Sequence, residues 1–165
     1  MDNEHKRVRW LELRKREGFE YAHELDAESR VQILVKARGE PLFLVRYERN
    51  PAHGDGLEPC SITGGVDAGE TTKAAAVREL YEEAGIRISK SALLSLGLAR
   101  PYKASDSIVH MFFCIVDKAA VDPKPAGDGT PGEAGAYCRW RSSDALVASA
   151  DPLLALSYLR AKALR

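Results

Sequence analysis

Between Gly64 and Ile86 the chain reads GGVDAGETTKAAAVRELYEEAGI, a glycine-rich turn running directly into a helix with three carboxylates near its end. Thr71 or Thr72 can cap the helix start by accepting from free backbone N–H groups, and Gly85 can close the end in a left-handed conformation. These signals predict a helix of about thirteen residues, Thr72 to Ala84. On a wheel of about 100° per residue, Arg78, Glu79, Glu82 and Glu83 share one arc with Ala75, while Ala76, Val77, Leu80 and Ala84 take the opposite side. The second arc is an ordinary buried stripe. The first stacks like charges at i, i+3 and i+4, which oppose folding by a few tenths of a kcal/mol per pair. One arginine cannot neutralise three glutamates. Either the face is simply solvated, or its carboxylates hold a hard divalent cation such as Mg²⁺, which takes oxygen ligands and keeps waters that substrate phosphates can replace. Ala75, one turn before Glu79, is expected to leave the space above the carboxylates open.

Reading outwards, Gly64, Glu70, Arg78, Glu79, Leu80, Glu82, Glu83, Gly85 and Ile86 fit the pattern G-x5-E-x7-R-E-U-x-E-E-x-G-U, with U aliphatic, at all nine specified positions. This pattern resembles the signature of the Nudix hydrolases. The resemblance implies an α/β fold, an α/β/α sandwich with a mixed β-sheet, and metal-dependent hydrolysis of a phosphoanhydride linkage. It implies that Glu79, Glu82 and Glu83 bind Mg²⁺, with Mn²⁺ as a substitute, and that a carbonyl of the Gly64 loop completes the metal shell. Glu70 would support that loop, or simply favour the helix N-terminus by its charge. Arg78 would orient Glu79 through a charge-assisted pair. Gly64 and Gly65 would let the backbone approach a ligand closely and adopt angles closed to other residues.

The remaining composition is permissive. A chain of 165 residues with 45% hydrophobic content suits one well-cored domain, and its 24 basic residues balance 24 acidic ones. That balance offers no global attraction to nucleic acid or to an anionic membrane, so a polyanionic ligand must be held by local groups and metal. Cys60, Cys114 and Cys138 are an odd set without paired spacing. They suit a reducing compartment, with Cys114 and Cys138 as core filler. No stretch approaches the length of an apolar span, and the expected location is cytoplasmic.

In chain order, residues 1–28 read as an N-terminal arm and 29–165 as the hydrolase domain. Val8 to Leu13 and Phe19 to Ala22 form a hairpin rich enough in apolar groups that it should pack either on its own domain or in a homodimer contact. Val31 to Ala37 and Leu42 to Tyr47 are the strongest strands, followed by a Pro- and Gly-rich loop over Asn50 to Gly56. The order of Arg46 and Arg49, then Leu57, Glu58 and Pro59, then the glycines resembles the branch of the family acting on ADP-ribose and nucleoside-diphosphate sugars. That implies substrate contacts at Arg46, Arg49 and Glu58, although Cys60 to Thr63 are inserted relative to that branch; a solvated surface role is the alternative. Pro101 and Tyr102 match the spacing of two different subgroups, and Tyr102 could stack on a base. Ile108 to Val116 is a near-continuous apolar run, hence a strand covered on both faces. Asp122 to Gly135 is a long loop, and its sole glutamate, Glu133, competes with Glu83 for the role of general base. Tyr137 to Arg141 is a last strand, and Asp151-Pro152 opens a final amphipathic helix. The leading function is cleavage of the pyrophosphate in a small nucleotide such as ADP-ribose or a nucleotide sugar. Dinucleoside polyphosphates or modified nucleoside triphosphates are alternative substrates, and a sensor that binds a nucleotide without hydrolysing it is an alternative class.

Overall fold

The computed structural model describes residues 10–25, 27, 29–50, 52–122, 125, 127 and 135–164. The chain opens with a two-stranded hairpin, β1 (Leu11–Arg16) and β2 (Phe19–Glu24). Glu17 and Gly18 both have positive φ, 53° and 85°, the demand of a two-residue turn matched to strand twist. Its apolar residues do not all find cover: Trp10, Leu11, Leu13 and Phe19 are exposed.

The main sheet has seven strands. Its path runs β5 (Leu57–Cys60), β4 (Leu42–Arg49), β3 (Arg30–Ala37), β8 (Val109–Val116), β7 (Leu94–Ala99), with β6 (Ile62–Gly65) beside β3 and β9 (Tyr137–Ser142) beside β4. β3 and β8 are parallel and the remaining pairs antiparallel, so the sheet is mixed. Side chains alternate across β3 and β8. Val31, Ile33, Val35, Phe112, Cys114 and Val116 enter one core, and Leu34, Val109, Met111 and Phe113 the other. A strand buried on both faces needs no polar alternation, which is why Ile108 to Val116 reads as one apolar run.

Each core is closed by helix. α1 (Thr72–Ala84) covers the first through Ala75, Ala76, Leu80 and Ala84, and α3 (Pro152–Ala163) covers the second through Leu154; the short α2 (Ser143–Val147) adds Leu146. The result is the expected α/β/α sandwich. Both long helices start as their sequences demand. Thr71 Oγ1 accepts from the Ala74 N–H at 3.3 Å and Asp151 Oδ1 from the Leu153 N–H at 2.8 Å, each satisfying an otherwise orphaned donor. Gly85, with φ 67°, ends α1 by donating to the carbonyls of Leu80 and Tyr81.

Two expectations about the central stretch are corrected. Gly64 and Gly65 are the end of strand β6, paired with Val31 and Arg30, and neither has a positive φ. Ala75 does not lie on an open face beside the carboxylates, because it is fully buried in the core between α1 and the sheet. β5 and β6, four residues each, lie where the sequence shows only a connection.

Candidate active site

α1 turns two of its glutamates inward. Glu79 and Glu83 are only 8% and 6% exposed, and ionisable side chains are rarely buried so deeply without partners. Their partners are arginines. Arg78 Nη1 donates to Glu79 Oε1 at 2.7 Å and to Glu82 Oε2 at 3.2 Å, so one nitrogen serves both carboxylates. The same guanidinium donates through Nε and Nη2 to the two oxygens of Glu70, at 3.3 and 3.0 Å, and through Nη2 to the Gly65 carbonyl at 2.9 Å. Arg78 therefore ties the acidic helix to the loop before it. The hydrogen bond from Arg78 holds the Glu70 carboxyl below its ordinary pKa, and Glu70 in turn leads the groups that push the Arg78 guanidinium still further up.

Gly64 meets this cluster by shape. A Cβ built there would overlap the carboxylate of Glu79, so the position takes glycine for space and not for backbone angle. Glu83, one turn further along the same face, reaches β6 and β4. Its Oε2 accepts from the Thr63 N–H at 3.2 Å, and its Oε1 lies 3.5 Å from Nε of Arg46.

Arg46 is the main departure from expectation among the substrate-contact candidates. Its side chain is 1% exposed, its Nε donates to Glu48 at 2.7 Å and its Nη1 to the Glu83 carbonyl at 3.1 Å. A guanidinium so enclosed positions Glu83 and does not face a ligand. Arg49 lies at the surface with Asp55 3.5 Å away. Glu58 and Tyr102 do line an open cleft of about 460 Å³, with Glu24, Glu48, Thr63 and Asp151 among the other walls. Thr63 connects the cleft to the helix, since it borders the one and donates its N–H to Glu83 of the other. Glu133 lies outside the described residues. Upstream of it in sequence, Asp122 and Gly127 are tied to the acidic helix: the Asp122 N–H donates to the Ala84 carbonyl at 2.9 Å and the Gly127 N–H to that of Glu82 at 3.2 Å.

The donors suit a hard cation in kind. Glu79 and Glu82 already share one positively charged neighbour, and Gly64 clears the space beside Glu79. Among the described residues no three His, Cys, Asp or Glu side chains are close enough together to enclose an ion. Mg²⁺ does not require such a cage, as it commonly takes one or two carboxylates and keeps waters and substrate oxygens for the rest. The residues thus fit an ion that Glu79 and Glu82 would hold, with Glu83, whose carboxylate keeps acceptor capacity beside Thr63 and Arg46, as the third candidate ligand.

Sequence reading missed the Glu48–Arg46–Glu83 chain and the approach of Asp151, whose Oδ2 accepts from the Ser61 N–H at 2.6 Å. Arg46 and Glu48, two apart on one strand, share a face, which was a legible hint. Asp151 had no local signal beyond its helix cap.

Comparison with known proteins identifies the family and the fold. The NUDIX domain family profile matches residues 26–160. The chain belongs to the Nudix family and is a Nudix hydrolase. Among solved structures, a hydrolase of the NUDIX family from Clostridium perfringens superposes with a TM-score of 0.54 at 14% identity, over 86% of this chain and 100% of that one. At that identity the likeness speaks for the fold. No curated protein matches the chain.

Proposed function

We propose that the protein hydrolyses the pyrophosphate linkage of a nucleoside diphosphate bearing a second group, ADP-ribose or a nucleotide sugar foremost, with Mg²⁺ or Mn²⁺ as cofactor. The observation that carries this reading is the joining, through Thr63, of the buried helix glutamate Glu83 to a cleft that holds an exposed aromatic ring and four carboxylates. Of those four, Glu24 is matched by Arg30 at 3.0 Å and Glu48 by Arg46. Glu58 and Asp151 leave the cleft acidic. Such a wall accepts hydrogen bonds from hydroxyl and amino groups and repels further phosphates, which favours a sugar or base over a polyphosphate chain.

Glu79 and Glu82 would hold the cation, which when bound would supply charge neutralisation at the diphosphate and a lowered pKa for a neighbouring water. Arg78 fixes the direction of both carboxylates. Tyr102 stacks on the base and Glu58 accepts from hydroxyls at the cleft mouth, with Arg49 at the rim. Glu83, or Glu133 downstream of Gly127, takes the proton from the attacking water, whose oxygen adds to phosphorus in line with the departing phosphate. Residues 1–28 act as an arm to the domain of 29–165, and the exposed Trp10, Leu11, Leu13 and Phe19 support its use in a homodimer, which light scattering on the eluting protein would reveal. Three free thiols support a cytoplasmic location. No helix among the described residues is long and apolar enough to cross a membrane.

The test is a panel of nucleoside diphosphate derivatives with Mg²⁺, products identified by mass. Turnover should require the metal and fall by about 10²–10⁴ in Glu83→Gln. A folded Glu83→Gln protein with undiminished turnover would remove Glu83 as the base. Absence of any phosphate release from the wild type would leave a binding protein.

A further inference from the structure

We propose that the N-terminal hairpin is a positioning element for the cleft of its own chain, acting through His23, which holds Asp106 and with it the 101–107 segment that carries Tyr102. This rests on the reading of the cleft as the substrate site. Three consecutive residues of β2 make the junction, each in a different way. The Ala22 N–H donates to the Ala104 carbonyl at 2.8 Å and its carbonyl accepts from the Asp106 N–H at 3.3 Å, a single parallel bridge across Ala22 and Ser105. Next, His23 Nδ1 lies 2.8 Å from Asp106 Oδ2. A carboxylate only accepts, so the ring nitrogen is the donor. Then Glu24 itself lines the cleft and accepts from Arg30 at 3.0 Å.

On the far side of the junction, Ser105 Oγ accepts from the Ser107 N–H at 3.1 Å, and Ile108 is tied to β3 through the Arg30 N–H at 2.8 Å. The 101–107 segment is therefore anchored behind Tyr102 and to the hairpin, while Tyr102 itself is 63% exposed and makes no hydrogen bond or ring contact with a described residue. With no such contact among the described residues to fix it, the ring takes its place from the anchoring of its own segment. A two-stranded hairpin is marginal alone, so the junction stabilises both partners at once. Preordering the ring spares the substrate the entropy of ordering it on binding, an effect on affinity and not on the chemistry at α1.

The experiment compares His23→Ala, and His23→Asn, which restores a donor near the Nδ1 position, in the full chain. In His23→Ala, hydrogen exchange should quicken by about tenfold at the amides of residues 22 and 106, with those of α1 unchanged. KM for the best substrate of the panel should rise about three- to tenfold at constant kcat, and His23→Asn should restore both values toward wild type. Unchanged exchange would overturn the latch. Faster exchange with an unchanged KM would overturn its role in positioning. Exchange is measured without substrate, so a wild type that hydrolyses nothing would count against the assigned reaction and still leave the latch to be read.

Discussion

At the scale of single residues, Gly64 and Arg46 separate function from stability. The nearest atoms that an added Cβ at Gly64 would strike are those of the Glu79 carboxylate, the far end of a flexible side chain that would have to shift. Gly64→Ala should therefore displace the carboxylate from Arg78, remove most turnover and cost about 1–3 kcal/mol in unfolding, less than a fully buried pair because the Arg78 side chain is partly exposed. A melting curve and an assay on the same sample check it; a large loss of stability would show that Glu79 has nowhere to go. Arg46 behaves in the opposite way. It is enclosed between Glu48 and Glu83, so Arg46→Met leaves buried negative charge without its cation and should cost about 3–5 kcal/mol in urea unfolding. A substrate-contact arginine would instead raise KM and leave the unfolding midpoint alone.

At the scale of elements, α1 and the loop before it are one unit because Arg78 bridges them. Glu70 is the loop's share of that bridge, and its folded pKa lies below the ordinary 4.5. A depressed carboxyl stabilises fully above its unfolded value, and the contribution is lost as pH falls from there through the folded value. Acid titration of unfolding free energy should show this decline below about pH 4.5, and Glu70→Gln should flatten it while lowering stability at neutral pH. An equally steep acid limb in the variant would assign the decline to other carboxylates. The same unit shows what a sequence can reveal. α1 was legible to the residue because its capping threonine, terminal glycine and charge spacing are all local. β3 and β8 were legible because burial on two faces leaves an apolar run. β5 and β6 were not, since four residues each, one strand holding a proline and the other ending in two glycines, carry no periodicity. The partner of Arg46 is 37 residues away, so its burial is a product of the fold, whereas Gly64 was legible as a necessary glycine but for the wrong reason.

At the scale of the whole molecule, the three thiols test whether the core between α1 and the sheet opens together with the cleft edge. Burial pushes Cys114 and Cys138 up to about 12. Cys60 is less enclosed and borders the cleft, yet burial first, and then the charges of Glu48, Glu83 and Asp151, push its thiol up as well. The thiolate is the nucleophile, so at pH 8 none of the three should react with a disulfide reagent while the protein is folded. Cys114 and Cys138 sit in the same core, between α1 and the sheet, on strands β8 and β9. Their labelling should appear together, at the urea concentration where circular dichroism reports unfolding, with one apparent free energy. Cys60 labelled earlier than the pair would mean that the cleft edge, β5 with the start of β6, opens ahead of the core. Early labelling suppressed by a nucleoside diphosphate would then locate that opening at the substrate cleft, since a ligand bound against Cys60 protects it by mass action in the folded state alone.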